Sequence, residues 1–133
     1  MREILFRGKR VHANEWVYGD LLHRRIWGND VFIIRVEDNG FDSYIEYEVL
    51  PETVGQDTGI TDKNGTKIFE GDIVKWFGRK YTVTYKEGRF IGEKEHFIGV
   101  DEYEFINLYG SLEVIGNIHD NKELLKGEKS NET

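Results

Sequence analysis

Carboxylates and a histidine gather in one stretch of the sequence, where residue types suited to metal binding or acid–base chemistry lie close together. They are Glu93, Glu95, His96, Asp101, Glu102 and Glu104. Such side chains bind divalent cations and transfer protons. On a β-strand, however, Glu93 and Glu95 share one face and His96 lies on the other, so these three residues form no compact site by themselves. A solvated strand edge is therefore the favoured interpretation, and a metal-dependent hydrolase is the alternative.

Other catalytic arrangements have less support. His119 and Asp120 join a base to a carboxylate, but adjacent residues rarely face each other and no nucleophile can be placed beside them, so a capping or surface role is favoured. Gly71 and Gly78 lack the Gly-Lys-Ser/Thr continuation of a phosphate-binding loop. The chain has no cysteine, which excludes disulfides, thiolate metal sites and a cysteine nucleophile. We predict no catalytic residue, no metal site and no cofactor, and we do not favour an enzyme.

Two short runs combine cations with aromatic rings. They are Lys75-Trp76-Phe77-Gly78-Arg79-Lys80-Tyr81 and His23-Arg24-Arg25-Ile26-Trp27. In the first run, a strand–turn–strand places Gly78 at the tip and Trp76 and Tyr81 on the sheet. Aromatic rings beside cations suit single-stranded nucleic acid, but they also anchor protein interfaces, and in the simplest interpretation the rings belong to the core.

The charge balance favours a protein partner over nucleic acid. The net charge is −7, with 25 acidic and 18 basic residues. This charge repels phosphate over most of the surface. Charged and apolar residues alternate at the N-terminus, and the chain offers no apolar stretch of about 18 residues that would suit a membrane span. We therefore expect a cytoplasmic protein.

The elements that must position these residues are mostly β-strands, because apolar and polar residues alternate in short segments that turn residues separate. The predicted strands cover 3–7, 16–22, 31–36, 44–50, 67–76, 80–86, 89–92 and 112–118. Asp38-Asn39-Gly40 joins two of them into a hairpin, Glu70-Gly71-Asp72 interrupts the strand 67–76, and Glu87-Gly88 supplies a further turn. Residues 103–108 fit either a helix or a strand. Such a succession is typical of a small barrel.

The 133 residues suffice for one domain or two small subdomains. We predict an N-terminal β subregion over residues 1–50, a barrel over 51–119, and a short helical turn with a frayed tail over 120–133. Asp120 or Asn121 caps that turn.

The alternation stops from Pro51 to Gly59, which predicts an ordered connecting loop. Within it, Gln56 and Thr58 either satisfy buried backbone groups or form a binding loop, and the structural role is favoured.

Four blocks of sequence resemble the YopX-like family of phage and prophage proteins. They are Leu5-Phe6-Arg7-Gly8-Lys9-Arg10, Trp16-Val17-Tyr18-Gly19-Asp20-Leu21, the run from Thr53-Val54-Gly55-Gln56 to Asp72-Ile73-Val74, and Glu113-Val114-Ile115-Gly116-Asn117-Ile118. The resemblance implies a β-rich protein whose second subregion, 51–119, is an SH3-like barrel. It implies no particular activity, so it assigns no catalytic residue.

We therefore predict a non-enzymatic interaction module, derived from a phage or prophage, that binds a host or phage protein or its own copies. The candidate anchors are aromatic residues and arginines, which dominate interface energies: Arg24, Arg25, Trp27, Trp76 and Arg79. Single-stranded nucleic-acid binding through Lys75–Tyr81 is the alternative. A metal-dependent hydrolase built on the acidic segment is the second alternative.

Overall fold

The computed structural model describes residues 4–25, 30–38, 42–96, 99–104 and 111–125, and these ranges are almost entirely β-structure. The strands are β1 Phe6–Lys9, β2 Trp16–Arg24, β3 Asp30–Asp38, β4 Asp42–Glu48, β5 Gly55–Thr61, β6 Lys67–Phe69, β7 Asp72–Trp76, β8 Arg79–Lys86, β9 Arg89–His96, β10 Gly99–Glu104 and β11 Glu113–Asn117. A 3₁₀ helix covers Pro51–Thr53, and residues 123–125 form one helical turn. The helices of the described residues are too short to cross a membrane.

The strands form two antiparallel sheets, with the orders β4-β3-β2-β1-β5-β6 and β10-β9-β8-β7-β11. By its internal contacts the chain divides into two compact units, Met1–Asp57 and Thr58–Thr133. The strand β5 spans this division, so its first residues belong to one unit and its last residues to the other. The predicted boundary between the N-terminal subregion and the barrel, after residue 50, therefore comes earlier in the chain than the observed division after Asp57.

The first unit forms its core from residues of β2 and β3 and from Val49, which follows β4. Its buried cluster consists of Val17, Val31, Ile33 and Val49. The predicted hairpin of β3 and β4 is confirmed by their antiparallel register, while residues 39–41 lie outside the described ranges. Next to this core, the Lys9 N–H donates to Thr53 Oγ1 at 2.9 Å, and Thr53 Oγ1 donates to the carbonyl oxygen of Leu50 at 2.6 Å. Thr53 thus fixes the 3₁₀ helix to β1 with one hydroxyl.

The second unit packs its strands around another buried cluster. The cluster consists of Ile68, Val74, Tyr81, Val83 and Leu112. Tyr81 and Val83 alternate with half-buried threonines along β8, as the period-two pattern predicts. The predicted turn at Glu70-Gly71-Asp72 is confirmed, because β6 ends at Phe69, β7 begins at Asp72, and the Phe69 N–H donates to Asp72 Oδ2 at 2.7 Å.

Two sequence-based predictions of architecture need correction. The described strands of the second unit do not close into a barrel: β10 and β11 stand at opposite ends of their sheet order, so an SH3-like barrel is not confirmed. The predicted loop from Pro51 to Gly59 is wrong, since the 3₁₀ helix and β5 occupy it. The buried positions of β5 are Gly55 and Asp57. Because neither has an apolar side chain, the sequence shows no alternation of apolar and polar residues there.

Candidate functional site

The β7–β8 hairpin, from Lys75 to Lys80, carries the most exposed aromatic side chain of those described. Trp76 pairs with Arg79 across the hairpin, and the two-residue connection is Phe77-Gly78. Both connecting residues have positive φ, 49° and 76°. Positive φ at both central positions is the signature of a type I′ turn, which favours Asn-Gly. Phe77 therefore stands where its bulk is poorly suited to the backbone.

Phe77 is the one ring of its run that projects into solvent. It is 83% exposed, and its neighbour Trp76 is half-buried against the core of the second unit. The Phe77 ring meets the Trp76 ring edge-on, with centroids 5.0 Å apart. Tyr81 is only 2% exposed. As a result, Tyr81 offers no face to a ligand, Trp76 offers part of its ring, and Phe77 offers nearly all of it.

Cations flank the turn that carries this ring. Lys75 and Arg79 are exposed, and neither makes an ion pair or a side-chain hydrogen bond within the described part of the chain. The Lys80 side chain already has a hydrogen-bond partner, because its Nζ donates to the carbonyl oxygen of Leu124 at 3.0 Å. The tip therefore presents two available positive charges beside one available ring.

A shallow depression of about 200 Å³ adjoins the tip. It is lined by Lys63, Lys75, Phe77, Gly78, Ser111 and Glu113. Lys63 Nζ lies 3.7 Å from Glu113 Oε2, and both side chains are more than one-third exposed. Such a pair is loose and contributes little to stability, so a ligand can replace it at small cost.

The backbone that carries Lys63 is held firmly by Asp62. The Asp62 carboxylate accepts backbone N–H bonds from Asn64, Thr66 and Val114, each 2.9 Å long. Burial alone raises the pKa of Asp62. The three hydrogen bonds and the charge of Lys63 outweigh burial and lower this pKa below its ordinary value of 3.8. The ionised carboxylate therefore fixes the 62–66 turn next to β11, and the depression has a rigid wall.

The candidate anchors of the first unit are less available. Arg24 donates from Nη2 to both carboxylate oxygens of Glu46, at 2.9 and 3.0 Å, and its guanidinium lies 4.7 Å from the centre of the Phe32 ring. Arg25 is exposed, and Trp27 lies outside the described residues. The charge of Arg24 is thus already compensated by a carboxylate, which makes it a poor ligand for a further anion.

The two candidates of the predicted loop lie on a strand instead. Gln56 pairs with Phe6 between β5 and β1. Thr58 Oγ1 donates to the carbonyl oxygen of Ile68 at 2.8 Å and accepts from the Ile60 N–H at 3.3 Å. The Thr58 hydroxyl thus bonds to backbone groups, while a binding role for Gln56 or Thr58 stays a prediction.

The acidic segment lies on β9 and β10, where Glu93 pairs with Glu102 and Lys94 with Asp101. Glu93 lies 3.8 Å from Lys86 Nζ, while the side chains of the acidic residues after it lie outside the described part. No group of three or more metal-binding side chains occurs among the residues that the structure describes.

The pair His119-Asp120 also has a structural setting. The backbone N–H groups of both residues donate to Asn117 Oδ1, each at 2.9 Å. The Asn117 N–H in turn donates to Asn121 Oδ1 at 3.1 Å. This network forms the turn that follows β11. The side chain of Asn121, one of the two predicted caps, bonds back to this turn, and its carbonyl oxygen accepts from the Leu124 N–H at 3.1 Å.

The sequence singled out residues of this hairpin but not its most exposed ring. Trp76 and Arg79 were candidates, whereas Phe77 was not. The missing signal was a bulky residue directly before glycine in a two-residue turn, where asparagine is expected. Lys63 was missed because the sequence gives no indication that residue 63 lies beside residues 75 and 113.

The fold defines this chain as a mainly β protein made of two antiparallel sheets. The chain belongs to the YopX protein family, whose model matches residues 5–126. It is similar to a solved structure, protein EF1440 from Enterococcus faecalis, with a TM-score of 0.59 and 27% sequence identity. The similarity covers 94% of this chain and 99% of that one. No curated protein sequence matches the chain.

Proposed function

We propose that this chain is a non-enzymatic interaction module, derived from a phage or prophage, that acts in the cytoplasm. It binds another protein through the tip of the β7–β8 hairpin. The observation that carries the proposal is the state of Phe77, which is 83% exposed and held at a positive φ of 49°. Both features are unfavourable for a residue with no task beyond folding.

The chemistry around Phe77 suits a protein interface. Aromatic residues and arginine supply most of the energy at such interfaces. Arg79 is the first residue after the Phe77-Gly78 turn and pairs with Trp76 across the hairpin. The loops that join rigid strands are common positions for recognition residues. Here the connection is only two residues long and its flanking residues are paired, so little conformational freedom is lost on binding.

A capture experiment tests this proposal. The tagged chain is incubated with nuclease-treated bacterial lysate, and the bound proteins are identified by mass spectrometry. The wild-type chain is compared with Phe77→Ala and with Tyr85→Ala. Tyr85 is a matched control because it is 54% exposed and lies near the opposite end of β8.

We expect a specific protein to be retained by the wild type and by Tyr85→Ala and to be lost with Phe77→Ala. Retention of the same protein by all three chains would show that the hairpin tip is not the interface. Alanine at Arg24, Arg25, Trp27, Trp76 and Arg79, singly, then shows whether any of the remaining candidate anchors contributes.

Single-stranded nucleic-acid binding is the alternative that the cations Lys75 and Arg79 beside Phe77 support. It predicts that association falls steeply with added salt and disappears after nuclease treatment. Capture from untreated lysate, compared with capture from nuclease-treated lysate, therefore separates the two functions.

A further inference from the structure

We infer that the partner presents an acidic segment, with an apolar side chain among its carboxylates, to the β7–β8 tip. This inference rests on the proposed function and adds the chemistry of the partner. In the complex, the apolar side chain packs on Phe77. A neighbouring carboxylate enters the depression between Lys63 and Lys75, and a second carboxylate pairs with Arg79.

The charges of the site point to an anionic partner. Among the residues that the structure describes, the tip and the depression bring together the cations Lys63, Lys75 and Arg79 and one carboxylate, that of Glu113. This local excess of positive charge occurs in a chain whose net charge is −7. Complementary charge accelerates encounter and selects among partners, so an isolated cationic patch on an acidic protein favours an acidic ligand.

The geometry limits what enters the depression. Its volume of about 200 Å³ suits one side chain rather than a folded surface. Lys63 stands on one wall in a loose ion pair, 3.7 Å from Glu113. An incoming carboxylate can replace Glu113 as the partner of Lys63, and it gains Lys75 as a second cation. The wall does not have to move, because the Asp62 carboxylate holds its backbone at three N–H groups.

The same observations disfavour a nucleic acid. Single strands are bound on successive aromatic rings, each of which stacks on a base. At this tip Tyr81 is 2% exposed, and Trp76 is half-buried with the Phe77 ring edge-on against it. One ring gives no platform for successive bases.

Fluorescence anisotropy with three labelled probes tests the inference. The first probe is a short peptide of alternating glutamate and leucine, the second has glutamine in place of glutamate, and the third is a short oligothymidylate. Each probe is titrated with wild type, Phe77→Ala, Lys75→Glu and Arg79→Glu. Lys86→Glu is the matched control, because Lys86 is an exposed cation at the other end of β8.

We expect the glutamate peptide to bind more tightly than the other two probes and to lose affinity with added salt. Lys75→Glu and Arg79→Glu should each weaken its binding about fivefold or more, whereas Lys86→Glu should change it much less. Equal affinity for the glutamine peptide, or equal effects of all three charge reversals, would overturn the acidic partner. Tighter binding of the oligothymidylate would also overturn it, in favour of nucleic acid.

The two proposals fail in different ways. If Phe77→Ala abolishes capture of the cellular partner but the charge reversals leave that capture unchanged, the interaction module stands and the acidic partner is wrong. If Phe77→Ala leaves capture unchanged, the interface at the hairpin tip is wrong.

Discussion

At the scale of single residues, Phe77 and Glu87 provide an internal comparison. Each is the first residue of a two-residue β-turn followed by glycine, and each has a positive φ, 49° and 55°. A glutamate side chain at such a position is well hydrated. Phenylalanine has the same unfavourable positive φ and in addition exposes an apolar ring to water. Residues that lower stability and are not compensated by buried contacts are typical of functional positions.

We predict that Phe77→Asn stabilises the protein. Asparagine tolerates the left-handed conformation and Asn-Gly is the preferred type I′ pair, so the free energy of unfolding should rise by about 0.5–1 kcal/mol. Urea unfolding measures this change, and Glu87→Asn is the control that should gain a similar amount. A loss of stability confined to Phe77→Asn would mean that the contact with Trp76 outweighs the backbone cost. The ring would then have a structural role.

The carboxylate of Asp62 gives a prediction about pH. Its pKa is lowered in the folded chain, because three backbone hydrogen bonds and Lys63 outweigh the opposite effect of burial. A lowered folded pKa adds stability that is present above the unfolded value, near 3.8, and is lost as the pH falls through the folded pKa. Asp62→Asn should therefore cost about 1.5–3 kcal/mol at neutral pH, and the difference from wild type should shrink in acid.

Urea unfolding of both chains from neutral pH down to acid pH measures this difference. Glu113→Gln is the control, because it removes the exposed ion pair with Lys63 but leaves the hydrogen bonds of Asp62 in place. A stability difference between wild type and Asp62→Asn that stayed constant with pH would show that the charge of Asp62 is not what holds the turn.

At the scale of the elements, the packing of β2 against β3 requires a glycine at position 19. A Cβ atom at Gly19 would collide with the backbone carbonyl oxygen of Ile34 on β3 and would approach Ile33 Cγ2 to 3.2 Å. Because the obstacle is backbone, rotation of a side chain cannot relieve it. The sheet of the first unit thus requires glycine at this position.

We predict that Gly19→Ala destabilises the protein by about 1–3 kcal/mol, since strands β2 and β3 must separate to admit the methyl group. The midpoint of urea unfolding should fall while its slope stays constant. Asp20→Ala, at the exposed neighbouring position, should change the stability by no more than about 0.5 kcal/mol. Equal stability of wild type and Gly19→Ala would mean that the sheet adapts locally.

Short turns were predictable from the sequence because their signals are local. The turns at Glu70-Gly71-Asp72 and Glu87-Gly88 lie between alternating segments, and both are found. The strand β5 was not predicted, since glycine and a buried carboxylate replace the apolar residues on its inward side. The approach of Lys63 to Glu113 was equally inaccessible, because it depends on Asp62 reaching Val114, which lies 52 residues further along the chain.

At the scale of the whole molecule, the cationic hairpin tip differs in charge from the acidic chain that carries it. The chain as a whole is acidic, with 25 acidic and 18 basic residues. The hairpin tip instead combines exposed Lys75 and Arg79 with an exposed ring. A net charge of one sign opposes general association between copies. Under the proposal above, the local cationic site then selects an acidic segment of the partner.

The two units have separate cores, and this leads to a prediction about cooperativity. Ile33 lies in the buried cluster of the first unit and Ile68 in that of the second, both at 0% exposure, and the clusters share no residue. Ile33→Ala and Ile68→Ala should each cost about 2–5 kcal/mol. Amide hydrogen exchange should show that each substitution lowers protection mainly among the strands of its own unit.

Ile45→Ala is the control for this experiment, because Ile45 is 38% exposed on β4 and should leave protection almost unchanged. If either core substitution lowered protection equally in the described strands of both units, the chain would unfold as one cooperative structure despite its two cores. If the loss stays local, the hairpin tip belongs to a unit whose stability does not depend on the first core. Substitutions at Phe77, Lys75 and Arg79 would then report on binding without disturbing the rest of the chain.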